Sequence, residues 1–323
     1  MAVATPMSAE NWAKLLEPGL RQVFSVRLGE YRDADKASIL FSKPPTSRRA
    51  HEEELGVGAI GADDWNFEDT GRVQYDAMDK GFLATFRHRE FAKGIMVRRS
   101  FIDDNLYPGA AGLPSALTGR VEALADAAFI MEQTAAAEVY NHAFTDSGKT
   151  AKGFPMAGPD GVGLCSTAHP MAENSSVTIS NEGTSALSLT AIRDSRVAAR
   201  RWTDDRGNIT PVNLVELLVP PELEDQALVL QTSQMEPGNA NNDANVIGKR
   251  IQRVISWEYL LDTNAWFLQD PVLRSRMLKW FDRNALEFAV EGDFDTLMAK
   301  YRAYRRYSRG WSHPLFVFGH NPS

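Results

Sequence analysis

The sequence predicts an α+β fold organised around one unusually long helix, and three observations carry that prediction. Between Pro114 and Phe144, the residues Leu117, Val121, Leu124, Ala128, Met131, Ala135 and Val139 step by threes and fours along a single stripe. Between Leu55 and Ser100 the period falls to two: Phe82, Ala84 and Phe86 alternate with Leu83, Thr85 and Arg87, and Ile95 and Val97 continue the pattern. Beyond Gly148, short helical and extended patterns alternate to the end of the chain.

The first fifty residues read as an arm of short helices. Ser8 is placed to cap one around Trp12 and Leu15, and after Pro18 the residues Leu20, Val23, Phe24 and Leu28 share a face. SKPPTSRRAHEEE then breaks the pattern as an exposed connector. GVGAIGADDWNFEDTGR is rich in glycine and acid without helical period, so it and the strands after it read as a long hairpin or loop with little core of its own. Segments of that kind are usually functional or packed on another chain.

The long helix starts near Pro114, and Gly148 lies just beyond its end. About thirty residues at 1.5 Å each make a rod of roughly 45 Å. Its alanines keep the stripe shallow, as close packing on a sheet requires. Next come a helix over Leu189–Trp202, a turn at DDRGN and a buried strand in VNLVELLV. The prolines of PPELEDQALVLQTSQ start a further helix with Leu223, Ala227 and Leu230 on one face. EPGNANNDAN reads as a polar loop, IQRVISWEYL and NAWFLQD as strands, and NALEFAVEGD leads into a basic, aromatic tail. There is no internal repeat.

Composition narrows the function. The 323 residues carry a formal net charge of -7, which argues against a dedicated DNA-gripping domain. A single cysteine excludes an internal disulfide and suits a reducing compartment. The N-terminus lacks the basic start and apolar run of a signal peptide, and no window reaches the ~20 apolar residues of a membrane span. The expectation is a soluble cytosolic chain without membrane partners.

Candidate chemistry is sparse. Cys165 and His169 in DGVGLCSTAHP are four residues apart, which on a helix would allow a thiolate–imidazolium pair. Asp160, Gly161, Gly163 and Pro170 make a turn instead, and no residue is marked as a partner to orient the histidine. A structural turn is the preferred reading over a Cys/His hydrolase. Asp103-Asp104-Asn105 and Asp204-Asp205 read as caps rather than metal carboxylates. Nucleotide, zincin and hydrolase motifs are missing, so no cofactor and no enzymatic activity are expected.

Charge is more informative. Glu52, Glu53, Glu54, Asp63, Asp64, Glu68 and Asp69 form a run without Lys or Arg, whereas Arg87, Arg89, Lys93, Arg98 and Arg99 are opposed by Glu90 alone. Either these are two solvated faces, or they are complementary contacts that set register between neighbouring chains. In MAKYRAYRRYSRGW, Lys300, Arg302, Arg305, Arg306 and Arg309 interleave with Tyr301, Tyr304, Tyr307 and Trp311. Such interleaving serves phosphate binding, or makes a sheet with one wet and one aromatic face; the sheet is favoured.

The order of these pieces carries a resemblance. DGVGLCSTAHP, a helix ending near Trp202, then VNLVELLVPPELEDQALVL resemble the major capsid proteins of tailed bacteriophages, with the HK-97-like fold. The resemblance implies an N-terminal arm (1–51), an extended E-loop hairpin (52–100), a P domain with the spine helix (101–150), an A domain (151–285) and a return to the P-domain sheet (286–323). It implies a structural LCSTAHP turn and self-assembly through pentamers and hexamers into an icosahedral head around double-stranded DNA, held by non-specific contact. Portal and scaffolding proteins follow as expected partners, and a decoration protein is allowed. Only about fifty residues precede the hairpin, so scaffolding is expected from a separate protein. The location implied is the virion capsid, assembled in the host bacterial cytoplasm. An encapsulin-like nanocompartment shell is the alternative with the same fold.

Overall fold

Pro18 does not divide the N-terminal pattern. In the computed structural model, which describes residues 9–57, 71, 73, 75, 80–104, 115–172, 175–237, 243–293 and 295–322, one helix α1 (Ala9–Glu30) runs straight through it. Pro18 is exposed, so its ring lies on the outer side of the helix. Leu20, Val23 and Phe24 bury the face expected of them, and Phe24 stacks on Phe288 at 5.1 Å. The short α2 (Lys36–Leu40) follows, capped by the Asp35 side chain, which accepts from the Ser38 amide.

Strands β1 (His51–Val57) and β2 (Lys80–Arg87) pair antiparallel from His51↔Arg87 to Val57↔Lys80. His88 alone separates β2 from β3 (Arg89–Arg98), which enters a different sheet. After α3 (Arg99–Asp103) comes the long helix α4 (Ser115–Asn141). The middle of the chain holds β4 (His169–Pro170), β5 (Thr178–Ile179), β6 (Glu182–Gly183), α5 (Leu189–Ala199), β7 (Glu216–Val219), α6 (Glu224–Thr232), β8 (Arg253–Ser256) and β9 (Trp266–Gln269). The last elements are α7 (Pro271–Met277), β10 (Leu278–Asp293), β11 (Met298–Trp311) and β12 (Val317–His320).

Two sheets share the α4 helix. The first is antiparallel in the order β10-β11-β3, and the second is mixed in the order β6-β12-β9-β7-β8. Over its first half α4 buries Leu117, Val121, Leu124 and Ala125 against α1 and the first sheet, among Val97, Phe288 and Tyr301. From Ala135 to Tyr140 the helix is buried on every side, because Trp257, Phe267 and Trp280 close around it. Tyr140 meets Trp257 and Phe267 edge-on at 6.1 and 5.3 Å. The central strands β7 and β9 are buried along their whole length, the signature of a sheet covered on both faces.

Several boundaries differ from the sequence reading. The helix expected to reach Trp202 ends at Ala199, and Trp202 turns back to donate from Nε1 to the Ser180 carbonyl at 3.1 Å. β10 begins at Leu278 and runs unbroken across 285 and 286, where a boundary was placed. β3 joins the sheet by pairing with β11, rather than staying with the hairpin. β12 leaves the antiparallel sheet and pairs with β6 and β9 in the other.

Candidate functional site

β11 is an alternating strand, as its composition suggested, but its cations are not all on the wet face. Tyr301, Ala303, Arg305, Tyr307 and Arg309 share one parity and are all buried. Arg305 donates from Nε and Nη2 to Asp282 at 2.9 and 3.1 Å, and from Nη1 to Glu132 of α4 at 2.5 Å. Burial works against its charge, yet the fields of Glu132 and Asp282 outweigh that, and its pKa is raised. Arg309 donates to Glu138 of α4 at 2.7 Å, and Lys152 donates to the other oxygen of the same carboxylate. Here burial wins: the Arg309 pKa is lowered despite Glu138. These arginines bolt the sheet to the long helix.

The acids that open the acidic run serve their own chain. Glu52 accepts from Ser47 Oγ at 2.5 Å and lies 3.7 Å from Arg49. Glu53 faces His51 at 3.2 Å, and Glu54 faces Lys279 at 3.9 Å. Asp63, Asp64, Glu68 and Asp69 lie outside the described residues. Of the basic run, Arg87, Arg89, Lys93, Arg98 and Arg99 are all exposed. Ten residues of β3 at ~3.3 Å each set Arg98 about 30 Å from Arg89, so the run does not form one patch. Only Arg87 and Arg89 converge.

They converge on a cavity of about 400 Å³ at the foot of the hairpin. Phe86, Phe154 and Trp311 supply apolar walls, and Arg87, Arg89 and Arg309 supply charge, with Lys149 at the rim. Arg309 and Trp311 are buried, and among the described residues Arg309 Nε and Trp311 Nε1 have no hydrogen-bond partner, nor has Asp160 Oδ1. Sequence reasoning missed Lys149 and Phe154 here, because only the fold brings 149–159 beside β2 and β11.

The Cys165–His169 turn is a staple. His169 reaches Asp160 Oδ2 from Nδ1 at 2.6 Å and Asn181 Oδ1 from Nε2 at 2.9 Å, and not the cysteine. Asp160 is therefore an orienting partner that sequence reading did not find. Asn181 also donates to the carbonyls of Leu164 and Val317 and accepts from the Ser166 amide. Cys165 is buried, and burial, with the Glu182 charge adding, lifts its thiol well above the usual range, which leaves it a poor nucleophile. A second pair, Ser195 and His320, is buried too; Ser195 donates to the Ala191 carbonyl at 2.7 Å. Asp204 accepts from the amides of Arg206 and Asn208, holding a turn as expected. Among the described residues no group of three or more acids, histidines and cysteines is placed to hold a metal, and no helix is long and apolar enough to cross a membrane.

Residues 99–318 match the family model described as phage capsid protein. The chain belongs to that family. No curated protein matches it in sequence. Among solved structures, a chain from Mycobacterium phage Patience is similar with a TM-score of 0.55 at 11% identity, over 94% of this chain and 88% of that one. A chain from Microbacterium phage Oxtober96 gives 0.52 at 11% identity, over 89% and 91%. A chain of the capsid of a native GTA particle gives 0.50 at 12%, over 87% and 88%. At these identities the likeness concerns the fold, which is the α+β, HK-97-like arrangement that the motifs imply. This phage capsid protein is a shell-forming structural subunit, and its place is the virion capsid.

Proposed function

We propose that the chain is the major subunit of an icosahedral head that encloses double-stranded DNA, and that it acts without catalysis. In this reading α4 and the antiparallel sheet form the flat P-domain plate, the mixed sheet forms the A domain, and β1–β2 is the base of the E-loop. Pentamers and hexamers close the shell in the host cytoplasm, with portal and scaffolding proteins as partners and DNA held by non-specific contact.

One observation carries the lateral contacts. β1 and β2 form a sheet of two strands, and a two-stranded hairpin is marginal in water by itself. Leu55 and Leu83 lie opposite each other across it and are each about half exposed, at 52% and 51%. A second chain that covers this pair supplies the burial the hairpin lacks. The charged residues of the two runs are then the candidate inter-subunit contacts, and repetition around a closed shell makes modest pairs count.

Electron microscopy of the purified protein tests the reading. Closed shells of uniform size that protect DNA from nuclease support it. A monodisperse subunit that forms no shell at any concentration, with or without a scaffolding protein, overturns it.

A further inference from the structure

Helix α5 carries a buried cation that nothing in the chain neutralises. Arg196 shares the inner face of this helix with Ile192 and Ala199 and is only 8% exposed. Its Nη1 is buried without a hydrogen-bond partner, and no ion pair holds the side chain among the described residues. Burial lowers its pKa, and the charges that reach it, Arg200 one turn on and Arg250, lower it further. The acids closest in sequence serve elsewhere. Asp194 is exposed two residues back, on another side of the helix, and Glu236 faces Arg193 at 3.2 Å. The other buried groups that could accept and lack a partner belong to other places: Asp160 beside Trp311 Nε1, and Tyr140 and Tyr301 in the cores around α4.

Arg250 is held on a clamped turn. It ends the tight turn Gly248–Arg250, whose first amide donates to Asn245 Oδ1 at 2.7 Å, while Asn245 Nδ2 donates to the Leu230 carbonyl at 2.8 Å. A Cβ on Gly248 would lie 2.7 Å from the carbonyls of Leu230 and Gln231, so the turn is pressed against the end of α6. Three guanidinium groups are thus brought together from two separately fixed stretches of backbone. Buried donors are normally satisfied and buried charges normally paired, so the set points to an anion that arrives from outside. We infer that Arg196, Arg200 and Arg250 bind a phosphate group. Phosphate offers more charge and more acceptor oxygens to planar guanidinium forks than one carboxylate, which would leave cations in excess. Its source is the free ion or a nucleic-acid backbone, which the arginines meet through the same oxygens. The inference does not depend on the shell reading, because the unassembled chain is enough to test it.

The probe is inorganic phosphate, added to the purified unassembled chain and compared with chloride at matched ionic strength. A saturable rise in thermal midpoint and a broadened phosphorus resonance are expected. Arg200→Gln with Arg250→Gln changes exposed residues only, and should weaken phosphate binding by about tenfold or more. Arg196→Met should raise the midpoint without phosphate, by removing an unpaired buried charge, and should abolish the rise that phosphate gives. An arginine with a merely structural role would instead lower the midpoint in both conditions when replaced. If Arg196→Met does not fold, the double variant decides alone. A short DNA duplex with hydroxyl ends should displace phosphate if the backbone is the source, and leave it bound if the source is the free ion. A midpoint that phosphate shifts no more than chloride overturns the inference. So does a double variant that still binds phosphate and loses only shell formation, because the arginines then face an acid of a second copy.

Discussion

Glu138 of α4 accepts a hydrogen bond from Arg309 of β11 at 2.7 Å, in a place where the arginine side chain is 1% exposed. Replacing the acid by Leu strands a buried guanidinium and is expected to cost about 3–5 kcal/mol, read as a fall in the denaturation midpoint of the unassembled subunit. Adding Arg309→Met should recover most of that loss, because apolar packing replaces a buried pair at little cost. A double variant as unstable as Glu138→Leu would show that the pairing is not the reason.

The turn around Cys165 leaves no room beneath β12. A Cβ built on Gly319 would lie 2.5 Å from Cys165 Sγ and 3.1 Å from atoms of Phe144 and Phe267. Gly319→Ala is therefore expected to destabilise by about 1–3 kcal/mol through overpacking. Cys165→Ala in the same chain removes the closest atom and should return part of it. Thermal midpoints of the three variants decide; equal losses with and without the cysteine rule the clash out.

His320 makes stability fall in mild acid. Its ring stacks on Trp266 at 4.1 Å, Nδ1 accepts from the Ser185 amide at 3.3 Å, and burial lowers its pKa from 6.5 to about 4. The folded state holds the ring neutral where the unfolded chain would protonate it. Its contribution is thus complete above pH 6.5 and is lost as pH falls from there to about 4. His320→Gln should flatten the midpoint-versus-pH curve in this window, whatever its effect at pH 8. An unchanged slope would remove His320 from the account.

Along α4 the two faces should respond differently. Leu124 is buried among α1 and the antiparallel sheet, whereas Ile130 is 49% exposed. Leu124→Asp is expected to cost several kcal/mol by burying an unpaired carboxylate, and Ile130→Asp to stay within about 0.5 kcal/mol in the unassembled subunit. Similar losses at both positions would mean that the stripe is not the buried face.

What the sequence shows of this fold follows from how local each signal is. The α4 stripe and the runs in β7 and β9 were legible because a helix face or a doubly covered strand repeats its demand within a few residues. The inward aim of Arg305 and Arg309 was missed, because the basic and aromatic composition suggested one wet and one aromatic face, although their parity with Tyr301 and Tyr307 carries it. Pro18 misled because its exposure, which makes it tolerable inside α1, depends on what the other face packs against. The partners Glu132–Arg305 and Glu138–Arg309 were illegible, since each joins segments that only the tertiary fold brings together, and Asp160–His169 was missed because the path of the turn decides which of its side chains meet. For the cavity, Arg87 and Arg89 were singled out as charges, while the walls from 149–159 and β11 belong to distant stretches.

β11 is the middle strand of its sheet, and it is made late. Arg98 of β3 pairs with Met298, two hundred residues further along the chain. At ~5–20 residues per second a ribosome needs roughly 10–40 s to cover that gap. Throughout that interval β3 has no neighbour to bond with, and the hairpin one residue before it hangs from an unfinished anchor. A message truncated before the codon for Met298 yields a polypeptide without the centre strand of this sheet. Placing the keystone two hundred residues after its partner thus makes translation through β11 a condition for closing the antiparallel sheet.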